Sequence, residues 1–183
     1  RRKVGHIQGF ARFKDKNTLE IEKNDGKKES LEFEHAILAT GSKPMLLPGI
    51  DAEHERVMTS KEALDLEDIP KKLLIVGGGY IGLEMATIYG ELGAKVTLVE
   101  LTPEILPGQD RDLVKVFEKV NKDLFDNILL ETKLKEVKPG KNKVKVTLEN
   151  QEGDKEDSFD KVLIAVGRKP LTENLGLENI GLE

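Results

Sequence analysis

Leu73-Leu74-Ile75-Val76-Gly77-Gly78-Gly79-Tyr80-Ile81-Gly82-Leu83-Glu84 is the stretch that decides how this chain is read. An apolar run at 73–76 ends in three glycines. A segment of helical character follows at 83–92 and breaks at Gly93, and a second apolar run at 96–99 closes on Glu100. The order is strand, tight turn, helix, turn, strand. Gly77, Gly79 and Gly82 stand at G-x-G-x-x-G spacing, and Glu100 lies 18 positions after Gly82. In that context the spacing is a dinucleotide-binding fingerprint.

Each residue type has a physical reason. Gly77 permits a sharp exit from the strand, where a side chain would clash. Gly79 lets the backbone approach a diphosphate, and Gly82 lets the helix pack close to the strands. The free N–H groups at the helix start, aided by the helix dipole, can hold phosphates without a basic side chain. Glu100 is suited to accept hydrogen bonds from an adenosine ribose and to repel a 2′-phosphate. No Lys or Arg occurs between Glu100 and Arg111, so NAD is expected in preference to NADP. The competing reading is a glycine turn needed only for packing, with Glu100 a solvated strand end.

Outward from this stretch, 183 residues suffice for one large domain, or for one domain and part of another. A formal charge of −5 argues against nucleic acid or an anionic membrane as the main partner. No apolar run approaches the ~20 residues of a membrane span, and no signal peptide is visible. There is no cysteine, which excludes disulfides, thiolate metal sites and thiol catalysis by this chain. The chain opens at Arg1 directly in strand-like sequence and is expected to be a piece of something longer.

Before the fingerprint, residues 4–13 read as a strand, 18–22 alternate with period 2, and 30–33 alternate again across Asn24-Asp25-Gly26. This is a small antiparallel meander. Ala36-Ile37-Leu38-Ala39 reads as a short buried strand. Pro44, Pro48, Gly49 and Pro70 punctuate 44–70, which reads as a linker with one short helix capped by Thr59 or Ser60. After the fingerprint, 110–125 is a helix with Leu113, Val116, Phe117, Val120 and Leu124 on one apolar face. Ile128-Leu129-Leu130 reads as a buried strand, 133–137 and 143–148 as a hairpin, and 161–166 as a further buried run.

Residues 33–44 and 159–170 align without a gap, 126 positions apart. Phe33, Ala39, Gly41, Lys43 and Pro44 match Phe159, Ala165, Gly167, Lys169 and Pro170. Each copy follows an alternating strand and a glycine-containing turn, so one supersecondary unit occurs twice. A glycine just past a buried strand lets backbone approach a ligand at the carboxyl edge of a sheet. Thr40, Gly41 and Ser42 can serve one cofactor in this way, and Gly167 another.

Three ordered motifs, Ala39-Thr40-Gly41-Ser42-Lys43-Pro44, Gly77-Gly78-Gly79-Tyr80-Ile81-Gly82-Leu83-Glu84-Met85-Ala86 and Ala165-Val166-Gly167-Arg168-Lys169-Pro170, resemble the flavin-dependent pyridine nucleotide disulfide oxidoreductases. Leu92-Gly93-Ala94-Lys95-Val96-Thr97-Leu98-Val99-Glu100 and Asn174-Leu175-Gly176-Leu177 bring the wording nearest to the dihydrolipoamide dehydrogenase branch of that family. The resemblance covers essentially the whole chain.

The resemblance implies an α/β fold: a Rossmann-like parallel sheet with an inserted antiparallel β-meander, plus a partial second meander from an FAD domain at the N-terminus. It implies that 1–43 close the FAD domain, 71–166 form the NAD domain and 167–183 return toward the FAD domain. Gly77, Gly78, Gly79, Tyr80, Ile81, Gly82, Leu83 and Glu84 would line the NAD site, with Glu100 on the ribose, Leu134 on the adenine and Gly167 touching NAD by its backbone. Glu84 would orient the nicotinamide, or merely favour the helix dipole. Ala11, Thr40, Gly41 and Ser42 would contact FAD.

The parent enzyme would pass electrons from dihydrolipoamide through a disulfide and FAD to NAD. It would work as a homodimer within a 2-oxoacid dehydrogenase complex, in the cytoplasm or, second, an organelle matrix. The family's redox disulfide, first flavin fingerprint and dimer domain with the catalytic His do not appear in this sequence. No catalytic residue and no metal ligand are therefore assigned, His6, His35 and His54 are read as surface residues, and the chain alone is expected to be inactive. The alternatives are a related NADH oxidase or disulfide reductase, and a stand-alone, non-catalytic dinucleotide-binding module.

Overall fold

A computed structural model describes residues 3–182. The chain divides into two units, one of residues up to 43 together with those from 170 onward, the other of residues 44–169. In the first unit, β1 (Gly9–Asp15), β2 (Thr18–Lys23) and β3 (Lys28–Glu32) form an antiparallel sheet in the order β1-β2-β3. Its turns are built by short acidic side chains: Asp15 Oδ1 accepts from Asn17 N at 2.9 Å and Asp25 Oδ1 from Lys27 N at 3.0 Å. Phe13 and Ile21 are buried, with Phe33 edge-on to Phe13. The C-terminal stretch lies on β1. Phe13 N donates to Leu175 O at 2.7 Å, and Asn179 Nδ2 donates to Phe13 O at 2.7 Å.

Two expectations fail in this unit. The first strand starts at Gly9 rather than residue 4, because β2 ends at Lys23, the partner of Gly9, and residues 4–8 have no ladder to join. Ala36-Ile37-Leu38-Ala39 is neither a strand nor buried; Ile37 is 94% exposed. The matching run in the second unit is a strand because it has hydrogen-bonded neighbours on both sides. Among the described residues this one has none.

Short extended segments, β4 (Ser42–Pro44) and β13 (Arg168–Pro170), carry the chain between the units. The second unit holds β5 (Val57–Met58), α1 (Ser60–Asp65), β6 (Lys72–Val76), α2 (Tyr80–Glu91), β7 (Lys95–Val99), α3 (Arg111–Asn121), β8 (Phe125–Leu129), β9 (Lys133–Pro139), β10 (Val144–Asn150), β11 (Gly153–Phe159) and β12 (Lys161–Ile164). Five of its strands form an all-parallel sheet in the order β5-β12-β6-β7-β8. The remaining three form an antiparallel meander, β11-β10-β9.

Side chains alternate across a strand, so the central strands divide their residues between two layers. Leu73, Ile75 and Leu163 meet Leu83, Met85, Ala86 and Tyr89 on the helical side. Leu74, Val76, Val162 and Ile164 meet Leu134, Val144, Val146, Leu148 and Phe159 of the meander. Burial on both faces explains why 73–76 of β6 and 162–164 of β12 read as unbroken apolar runs, and why the residues of β7 after Lys95 are buried, Thr97 included.

Residues 44–70, expected as a linker, are part of this unit. β5 pairs with β12, Ala63 of α1 is fully buried, and Tyr89 Oη donates to Ala63 O at 2.9 Å. The expected capping of α1 is present: Thr59 Oγ1 accepts from Lys61 N, and Glu62 accepts from Thr59 N at 2.9 Å. The apolar face assigned to α3 also needs correction. Val114 and Phe117 take the core side, leaving Leu113, Val116 and Val120 exposed, because only one side of the helix meets the sheet. β8 is an edge strand with Ile128 partly exposed, not a buried one.

The meander is fastened to the sheet at Lys72. Its ammonium donates to Asp157 Oδ1 at 2.7 Å and lies 4.5 Å from the Phe159 ring centroid. Burial opposes ionisation of Asp157. The Lys72 ammonium, the Ser158 N–H and the charge of Lys155 outweigh it and hold the carboxyl below the usual carboxylate range. A depressed carboxylate contributes stability that is complete above its unfolded value, about 3.9, and is lost as pH falls through the lower folded value. Lys72→Met should therefore lower the melting temperature at pH 7 by about 1–4 °C. The gap from the unsubstituted chain should narrow below about pH 4. A gap that stays constant across that range would remove Asp157 from the account.

Candidate functional site

The glycine turn sits where the strand order of the parallel sheet changes direction. From β6 the chain moves through α2 to β7 on one side, while β12 flanks β6 on the other. Such a switch point opens a crevice at the carboxyl ends of the strands. A cleft of about 280 Å³ lies there, lined by Gly77, Gly79, Tyr80, Ile81, Glu100, Pro107, Ala165, Val166, Gly167 and Arg168.

The turn is fixed by close backbone contacts. Gly77 N donates to Val99 O at 2.8 Å, and Ala165 N donates to Val76 O at 2.8 Å. Gly77 has φ +113°, and a Cβ there would stand 2.3 Å from the Ala165 carbonyl oxygen. A Cβ on Gly82 would stand 2.0 Å from the Gly77 carbonyl oxygen, closer than any side chain tolerates. Gly79 differs: a Cβ there meets nothing within 4 Å. Its bare backbone faces open space beside the start of α2. The first amides of an α-helix have no intrahelical acceptor. In α2 no side chain caps them, and no acidic residue stands in the first turn. The positive end of the helix thus meets the cleft with its first amides uncapped.

Glu100 is held at the cleft floor. Its Oε2 accepts from Gly78 N at 2.6 Å, and its Oε1 accepts from Thr102 N and is 2.8 Å from Thr102 Oγ1. The backbone around it is bonded on both sides, Glu100 N to Leu129 O and Thr132 N to Glu100 O, each at 2.9 Å. An ionised carboxylate offers about four acceptor positions, so acceptor capacity remains for a further hydroxyl.

The sequence-derived residues divide into groups. Gly77, Gly79, Tyr80, Ile81, Glu100 and Gly167 line the cleft. Gly78 lies beneath the Glu100 side chain, and Gly82 and Leu83 are buried behind it, Leu83 N donating to Gly79 O at 3.0 Å. Glu84 is exposed on the next turn of α2 and is not part of the lining. Leu134 is buried in the meander core, also away from the lining. Ala11, Thr40, Gly41 and Ser42 belong to the first unit. There Thr40 Oγ1 donates to Leu171 O at 2.7 Å, and Leu171 N donates to Gly41 O at 3.0 Å.

Thr102, Pro107 and Arg168 were not foreseen as part of the site. Pro107 had a signal, since Pro103, Pro107 and Gly108 mark a loop directly after the acidic residue. Thr102 had none, because its role depends on the carboxylate folding back.

The family model for pyridine nucleotide-disulphide oxidoreductases matches residues 2–183. The dihydrolipoyl dehydrogenase of Vibrio cholerae is 42% identical over 183 residues, covering 100% of this chain and 38% of the relative. The mitochondrial dihydrolipoyl dehydrogenase 1 of Arabidopsis thaliana is 38% identical, covering 99% of this chain and 36% of the relative. The HOCl-induced flavoprotein disulfide reductase RclA from Escherichia coli superimposes with a TM-score of 0.81 at 28% identity, covering all of this chain and 40% of that one. This chain thus spans well under half the length of the relatives it matches. No helix among the described residues is long and apolar enough to cross a membrane. With its glycine turn at the switch point of a parallel sheet and a family model matched from residue 2 to residue 183, the chain belongs to the pyridine nucleotide-disulphide oxidoreductase family.

Proposed function

We propose that residues 71–166 are the NAD-binding part of a dihydrolipoamide dehydrogenase. The observation that carries this is the contrast among the glycines: Gly77 and Gly82 are closed by neighbouring backbone, while Gly79 alone faces open space next to uncapped helix amides. That is the shape of a diphosphate seat. The amides of Tyr80 and Ile81 would hold the diphosphate, and the spare acceptor capacity of Glu100 would take an adenosine ribose hydroxyl. The Gly167 backbone, at φ +128°, would approach the cofactor from the β12 side. Glu84 and Leu134 would act at the nicotinamide and the adenine. When bound, the nucleotide supplies hydride-acceptor chemistry; the residues here bind and orient it. The seat fits NAD better than NADP, because a 2′-phosphate would face the Glu100 carboxylate.

In the first unit, Ala11, Thr40, Gly41 and Ser42 are proposed to contact FAD. Gly41 has φ +77°, and a Cβ there would meet nothing within 4 Å, which leaves its backbone approachable. The whole protein would oxidise dihydrolipoamide through a disulfide and FAD to NAD, as a homodimer in a 2-oxoacid dehydrogenase complex. The cytoplasm is the proposed compartment, an organelle matrix the alternative given a mitochondrial relative. The name and sequence identity of the Vibrio relative support this over a general disulfide reductase. The likeness to RclA keeps that second reading in view.

Calorimetric titration of the chain should give tighter binding for NADH than for NADPH. Hydrogen bonds to a charged group contribute about 1.5–3 kcal/mol, so Glu100→Ala should weaken NADH binding by roughly 10- to 100-fold and erase the preference. Equal affinity of the unsubstituted chain for both nucleotides would refute the role of Glu100. Gly79→Ala should melt within about 2 °C of the unsubstituted chain, since the new methyl meets no neighbour. It should nevertheless lose most NADH binding, because the methyl occupies the diphosphate approach. Unchanged affinity in that variant would move the diphosphate elsewhere.

A further inference from the structure

We propose that Arg111 is a positioning residue for the dinucleotide: its guanidinium fixes the loop of residues 104–109, which brings Pro107 to the wall of the cleft. The inference rests on the NAD reading of that cleft. Arg111 opens α3, and its side chain turns back along the preceding loop. Nη1 donates to Glu104 Oε2 at 2.9 Å. Nη2 donates to the carbonyls of Ile105 and Leu106 at 3.0 and 2.7 Å, and Nε to that of Gln109 at 3.2 Å. Four of the five N–H groups of one guanidinium are thereby spent on a single loop.

The loop needs such a clasp. Leu106 sits at φ +50°, a conformation that L side chains adopt only when their surroundings impose it. Ile105, 1% exposed, anchors the inner end in the core. The loop is also joined to the glycine turn, because Leu106 N donates to Gly78 O at 2.9 Å. The next residue, Pro107, lines the cleft with Gly77, Gly79 and Glu100. Arg111 does not itself line the cleft. A guanidinium committed to three carbonyls and a carboxylate acts on the nucleotide through Pro107 and the Gly78 carbonyl, not by touching a phosphate. Lysine cannot reproduce this, because an ammonium is a point charge without a planar fork.

The test compares NADH and NADPH titrations of the unsubstituted chain with those of Arg111→Ala, Arg111→Lys, Glu104→Gln and Lys72→Met, all well below their melting temperatures. Arg111→Ala should weaken NADH binding about five- to tenfold, and hydrogen exchange at the Leu106 amide should quicken. Arg111→Lys should recover part of the loss, through its pair with Glu104, and Glu104→Gln should lose about two- to threefold. Lys72→Met, whose contacts to Asp157 and Phe159 lie at the end of β6 opposite the glycine turn, should melt earlier with NADH affinity unchanged. A purely structural arginine would instead lower the melting temperature of Arg111→Ala and leave the affinity of the folded variant intact. That result overturns the proposal, as does a loss in Lys72→Met equal to that in Arg111→Ala. A larger loss for NADPH than for NADH would make Arg111 a direct phosphate ligand and would equally overturn it. If Arg111→Ala does not fold, affinities of Arg111→Lys and Glu104→Gln equal to that of the unsubstituted chain decide against it. Failure of the unsubstituted chain to bind NADH refutes the NAD reading itself; binding that the arginine variants do not alter refutes only this inference.

Discussion

A Cβ on Gly82 would stand 2.0 Å from the carbonyl oxygen of Gly77, and most of the site follows from that proximity. It lets α2 start directly against the end of β6. The first amides of the helix then point out over the carboxyl edge of the sheet instead of being displaced by a side chain. The same approach requires Gly77 to leave the strand at φ +113°, under the carbonyl of Ala165. Strand, turn and neighbouring strand are thus locked by backbone alone. The one position in the turn with room to spare is Gly79.

The electrostatics follow from this packing. An uncapped helix start is a site of partial positive charge. Glu100, one strand away, supplies a full negative charge and is restrained by Gly78 and Thr102 before any ligand arrives. A ligand negative at one point and rich in hydroxyls at another suits such a pair. The loop after β7, pinned by Arg111, closes the wall between them. Preorganisation lowers the ordering cost of binding, which gives three backbone segments with few basic side chains a means of holding a dinucleotide.

Much of this was legible in the sequence, because glycine spacing and apolar runs are local signals. The turn, α2, β7, Glu100 and the β9–β10 hairpin could be placed from residues 73–100 and 133–148 alone, whereas the third meander strand, β11, begins at Gly153, where the residues read as a turn. What could not be read depends on neighbours distant in sequence. Residues 44–70 looked like a linker because β5 is only two residues long, and its partner β12 lies about a hundred positions later. Ala36-Ile37-Leu38-Ala39 has the composition of a buried strand, but composition does not provide a pairing partner. On α3, the apolar residues Leu113, Val116 and Val120 have helical spacing yet stand on the side away from the core, which periodicity alone cannot distinguish. Thr102 and Arg111 act through folded-back contacts that no motif encodes.

The internal repeat gains physical content from the two units. Each has a three-stranded antiparallel meander, followed by a glycine of positive φ, Gly41 or Gly167, and a short extended segment ending in Lys-Pro. The most direct test of the central claim is an amide-resolved NMR titration of the chain with NADH. The account predicts that the resonances of Gly79, Tyr80 and Ile81 move first and furthest, with Glu100 and Gly167 next. Saturable binding that leaves those amides in place while shifting resonances of the β1–β3 meander would contradict it.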